Sequence, residues 1–156
     1  MLAYRVTFYL IIDREINPQS DAIMKYDDKL VDVLKVLATD VCCLAPFGWW
    51  GFKYKGCQML YIPASDASDI IRVCIPHFDD VVRYELNRLA SDINEINREV
   101  RYVKVVMLGN GSISVNYDHR CAVEEDLHSL LHHILNALCF ASDTLKYKLS
   151  NNNFTS

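Results

Sequence analysis

Tyr102–Asp118 reads YVKVVMLGNGSISVNYD, and this stretch decides the fold class. Tyr102–Leu108 is a β-type run, and in the second half Ile113, Val115 and Tyr117 alternate with Ser114, Asn116 and Asp118. Gly109-Asn110-Gly111-Ser112 lies between, and Asn-Gly supplies the positive φ angles of a tight hairpin turn. The alternation predicts a sheet with Ile113, Val115 and Tyr117 on its core face. The opposite face is expected to be polar and open to solvent or a partner.

Working back from the hairpin, Val82, Leu86, Leu89, Ile93 and Ile96 form the stripe of an amphipathic helix. Asp79 and Asp80 are placed at its start, where the helix dipole favours negative charge. Three short strands precede it: Trp49–Tyr54, Cys57–Ile62 after a Lys55-Gly56 turn, and Ile70–Ile75, stopped by Pro76. Before them, Ile23, Tyr26, Leu30, Leu34, Leu37 and Val41 mark a helix of about five turns, capped by Ser20 or Asp21. Leu2–Ile16 reads as an extra strand, with a helical face as the alternative.

Beyond the hairpin, a last helix is expected from about Val123. Glu124, Glu125 and Asp126 fall in its first turn, and its stripe runs Leu127, Leu131, Ile134, Leu138, Ala141 and Leu145. The result is an α+β domain over 1–150, with 151–156 as a frayed tail. An antiparallel sheet of about five strands is expected with three helices, in the order (β)-α-β-β-β-α-β-β-α.

Composition narrows the function classes. The 156 residues carry a net charge of −4, and 51% are apolar. A chain of this size folds without a metal or disulfide. Its mildly acidic balance gives no support to nucleic-acid binding. No apolar run is long enough to span a membrane, and Val6–Ile12 lacks the flanks of a signal peptide. Cys42, Cys43, Cys57, Cys74, Cys121 and Cys139 show no C-x-x-C spacing. They are expected to be free and mostly buried, in a cytoplasmic protein.

The element order, with the residues in it, resembles the YbjN family, which shares its fold with type III secretion chaperones. The resemblance is carried by Ile70–Ile75 with Pro76, by Asp92-Ile93-Asn94-Glu95-Ile96-Asn97-Arg98, and by the 103–118 hairpin. It covers roughly residues 21–149 and rests on a pattern of elements with few fixed residues. It implies a bacterial, non-enzymatic module, chaperone-like or regulatory, that binds a protein partner or itself, as a homodimer; the alternative is a small metal-binding protein or enzyme using the histidine-bearing last helix. It supplies no active-site residues and no cofactor.

Other clusters compete with this reading. His128 and His132 are four apart on a helix and, with Glu124 or Glu125, could grip a metal. The H-E-x-x-H motif is absent, and His128, His132 and His133 flank an apolar stripe, so boundary positions are expected. Cys74 with His77, and Cys121 with His119, lack an orienting third group. Gly109-Asn110-Gly111 lacks phosphate-loop spacing. The remaining concentration is Phe47, Trp49, Trp50, Phe52 and Tyr54. Adjacent strand residues face opposite ways, so at most one indole faces the core. Trp49 and Trp50 are therefore the candidate partner-binding residues, against the alternative that both rings are buried.

Overall fold

A computed structural model describes residues 18–65, 68–122 and 124–152. The expected Leu2–Ile16 strand lies outside them. The elements are α1 (Pro18–Leu37), β1 (Thr39–Leu44), β2 (Trp49–Tyr54), β3 (Cys57–Ile62) and β4 (Ile70–Asp80), followed by a short 3-10 turn at Val81–Arg83. Then come α2 (Leu86–Glu99), β5 (Val103–Met107), β6 (Ser112–Arg120) and α3 (Leu127–Asn152). One antiparallel sheet has the order β1-β2-β3-β4-β6-β5. The architecture is α+β as expected, with six strands in place of five.

The sixth strand is β1. The helical spacing carried the first helix to Val41, but the helix closes at Leu37, with Ala38 N–H donating to Leu34 O. Thr39 and Val41 are β-branched and favour the pleated surface. Pairing with β2 then wins over one more helical turn, and a bulge between Thr39 and Cys42, with Asp40 at φ +53°, absorbs the change.

Two further boundaries differ. Pro76 does not stop β4, because a register irregularity between Ile75 and Asp79 accommodates it and the strand reaches Asp80. Asp79 and Asp80 therefore end a strand rather than start a helix. Glu85 caps α2 instead, its carboxylate accepting from the N–H groups of Asn87 and Arg88. Val82 and Leu86 are exposed, leaving Leu89, Ile93 and Ile96 as the buried stripe. Asp126 likewise precedes α3 and accepts from the N–H and hydroxyl of Ser129. α3 runs through Asn151 and Asn152, two residues into the expected tail.

The turns separate two chemistries. Lys55 and Gly56 both have positive φ, +47° and +77°, as a two-residue hairpin turn requires. Between β5 and β6 only Gly111 does, at +86°, and Gly111 N–H donates to Leu108 O across a four-residue loop.

All three helices pack on one face. Leu30 and Leu34 of α1, Leu89 and Ile96 of α2, and Leu131, Ile134, Leu135, Leu138 and Leu145 of α3 are buried there. They meet Phe52, Met59, Tyr61, Ile71, Val73, Val103, Val105, Ile113 and Val115 from the strands, which the register holds to that same face. Each such side chain contributes about 1.5–3 kcal/mol of burial free energy. No described helix lies over the opposite face, called bare below.

Candidate partner-binding site

The strand alternation divides β2 between the two faces. Phe52 is fully buried on the helix side. Trp50 shares that side, half-buried, with Lys35 Nζ of α1 5.5 Å from its ring centroid. Tyr54 also points that way, its hydroxyl donating to Asn136 Oδ1 at 3.1 Å. Trp49, Gly51 and Lys53 take the bare face.

Trp49 is half-buried and stacks on Phe47, with centroids 5.0 Å apart and planes 28° apart. Phe47 belongs to the Ala45–Gly48 turn, where the Ala45-Pro46 peptide is cis and Gly48 sits at φ +70°. Opposite Trp49 on β1 lies Leu44, 37% exposed. The row continues through Ile62, Arg72 and Asp118, the last two joined by a bidentate ion pair at 2.6 and 2.7 Å. In the next row Cys42, Gly51, Leu60, Cys74 and Asn116 are in register. An added Cβ at Gly51 would meet Leu44 Cδ1 at 3.6 Å and Cys42 Sγ at 3.7 Å. These are ordinary van der Waals contacts, so Leu44 and Cys42 of β1 flank the Gly51 backbone without crowding it.

The polar half of this face differs from expectation. Ser112, Ser114 and Asn116 are buried, not solvated. They lie on β6, an interior strand, where the register sets short side chains between Cys74 of β4 and Lys104 and Val106 of β5. Each has a polar partner. Ser114 Oγ lies within hydrogen-bond distance of Asn116 Oδ1 and Ile75 O, and His77 Nδ1 lies 3.0 Å from Ser112 Oγ.

The histidines of α3 do not converge. His128, His132 and His133 are exposed. His132 neighbours the Asn136 amide, and His133 stands edge-on to Tyr117. Among the described residues no three His, Cys, Asp or Glu side chains form a metal cage.

Both Cys–His pairs can be located. Cys74 is buried and burial pushes its thiol up to about 12, while His77 bonds to Ser112. His119 has an orienting group invisible to local sequence reading: Glu125 Oε1, 2.6 Å from His119 Nε2. Burial nevertheless pushes the Cys121 thiol up to about 11, against the form a nucleophile needs.

Glu125 also accepts from Tyr26 at 2.6 Å, while the Tyr61 hydroxyl donates to Asp27. Burial opposes the Glu125 charge. The hydrogen bonds from Tyr26 and His119 outweigh it, and the carboxyl titrates below its ordinary range. Burial moves Asp27 the other way, upward, despite its bond from Tyr61. This half-buried cluster ties α1, β3, the end of β6 and the entry to α3 together. It joins residues up to 99 positions apart, so no local pattern announced it.

All six cysteines are free, but Cys42 and Cys43 are exposed, three are half-buried and only Cys74 is fully buried. The expectation of mostly buried thiols fails at β1, which lies at the sheet edge. No described helix is long and apolar enough to cross a membrane.

Comparison with known proteins adds a fold and no activity. No family profile matches the chain, and no curated protein matches it. Among solved structures, an uncharacterized protein from Methanothermobacter thermautotrophicus is similar at 8% identity with a TM-score of 0.55. The match covers 83% of this chain and 97% of that one.

Proposed function

We propose that this chain is a non-enzymatic, YbjN-like protein-binding module of the cytoplasm, docking its partner on the bare face of the sheet around Trp49. One observation carries the reading. Adjacent indoles lie on opposite faces of β2, and the one with no described helix beside it stacks on Phe47, opposite Leu44. Apolar area left in water is worth roughly 25 cal/mol per Å² to whatever covers it, and tryptophan anchors interfaces for that reason. The test is cross-linked capture from the native cell with wild type and Trp49→Ala as paired baits. A partner held by wild type and lost from Trp49→Ala supports the reading. Identical capture by both baits, or stoichiometric zinc, iron or nickel in the purified protein, overturns it.

A further inference from the structure

β5 has a strand neighbour, β6, on one side only. In an antiparallel sheet the main-chain groups of alternate residues point to opposite sides, and a facing residue takes both the N–H and the C=O of its partner. Val105 makes that double bond with a side chain. Its N–H donates to Asn97 Oδ1 at 2.8 Å, and Asn97 Nδ2 donates to Val105 O at 2.9 Å. Only a carboxamide side chain offers a planar donor and acceptor together, as a peptide group does. Val105 is the middle residue of β5 and is buried, so its main-chain groups need a partner within the protein.

The chain is built to bring the amide there. Ile96 anchors α2 in the core, and Asn97, next along the helix, is half-buried at the margin of that stripe. The turn back from α2 to β5 takes only Val100–Tyr102, with Tyr102 at φ +67°. Lys104 Nζ donates to Asn97 O at 3.0 Å and fastens the same turn of α2 to the strand. The Asn97 amide does not serve the end of its own helix, because Val100 N–H closes α2 on Ile96 O.

We propose that Asn97 is a built-in stop for the sheet: its amide takes the place of a residue of a seventh strand and denies the β5 edge to any added strand. Unpaired edges template further pairing, and charged side chains such as Lys104 help to blunt them. With Val105 taken, the outward groups of Val103 and Met107 are separated and offer no continuous run. This role goes beyond the Trp49 reading and does not depend on it.

The test compares full-length wild type, Asn97→Ala and Asn97→Asp by amide exchange and by sedimentation over a range of concentrations. Asn97→Ala should keep native circular dichroism, exchange the Val105 amide at least about tenfold faster at low concentration, and sediment as species heavier than wild type as concentration rises. Asn97→Asp keeps the acceptor for Val105 N–H and sets a charge at the edge, so it should sediment like wild type. Met107 is 40% exposed at the end of β5, and adding Met107→Lys to Asn97→Ala should restore wild-type sedimentation. If Asn97→Ala loses the native fold, Asn97→Gln, which displaces the amide by one methylene, takes its place in the comparison. Wild-type exchange at Val105 in the altered chain overturns the proposal. So does faster exchange with no heavier species at any concentration, or association that survives Met107→Lys. None of these outcomes bears on Trp49-dependent capture of a partner, which has its own experiment.

Discussion

Trp49 and Trp50 are the same residue type, one position apart, in the same strand, yet they belong to different parts of the molecule. Trp50 lies under Lys35 beside Phe52 and within the helix-covered core layer. Trp49 lies on Phe47 with no described helix above it. The strand period of two does all of this sorting. The two faces also hold polar groups differently. On the helix side, Glu125 and Asp27 are drawn into long-range bonds with tyrosines. On the bare side, Arg72 and Asp118 pair in the open. The helix side is covered throughout, whereas the bare side mixes buried Ser112, Ser114 and Asn116 with the open Arg72–Asp118 pair.

The largest effect expected is at Trp50. Trp50→Ala should cost about 3 kcal/mol of unfolding free energy in urea, because it removes a ring from a packed layer. Trp49→Ala should stay within about 1 kcal/mol and act on association instead. Equal losses, with association unchanged, would erase the distinction between the faces.

Next comes the Glu125 cluster. Glu125→Gln weakens the bonds from Tyr26 and His119 and should cost about 1–2 kcal/mol at neutral pH. The sign with pH follows from its lowered carboxyl. That stabilisation is present above the ordinary value of 4.5 and lost as the pH falls below it. Asp27, shifted upward, has the opposite slope and offsets part of the loss. Urea midpoints of wild type should therefore fall on acidification, and those of Glu125→Gln should fall less. Parallel curves would show that Glu125 carries none of the slope.

Smaller still is the bare-face ion pair. Asp118→Asn should shift stability by no more than about 1 kcal/mol, since both partners are nearly half exposed. A larger loss would mean this face is more tightly packed than the exposures of Arg72 and Asp118 indicate. The least perturbing measurement is thiol labelling of the native protein. Cys42 and Cys43 should react first and Cys74 last. Rapid labelling of four or more thiols would contradict the burial of the strands.

The sequence made strands legible where turn chemistry bounded them. β2 and β3 fall where read, because Lys55-Gly56 and Pro63 mark their limits. It misled where two periods overlapped. Leu34, Leu37 and Val41 continue a helical stripe, yet Val41 is also the third residue of a strand, and pairing with β2 decided between them. It misled again at Asp79, whose side chain accepts from Tyr84 and Arg83 instead of starting a helix. The opposite orientation of the two indoles was readable from alternation. The burial of Ser112, Ser114 and Asn116 was not, since it depends on which strands flank β6, a matter of sheet order.

That sheet order also has a consequence in time. The β2–β3 and β5–β6 hairpins close over loops of two and four residues, whereas β4 must find β6 across α2 and β5. The nearest contact of that pairing, Asp80 with Ser112, spans about thirty residues, for which loop closure costs about 3 kcal/mol. Until it forms, the β1–β2–β3 meander and the β5–β6–α3 half share no sheet. The slow step of folding is therefore expected at the β4–β6 seam. Mutations there, at Ile75 or Val115, should slow folding, while those in β2, Trp49 included, should chiefly speed unfolding.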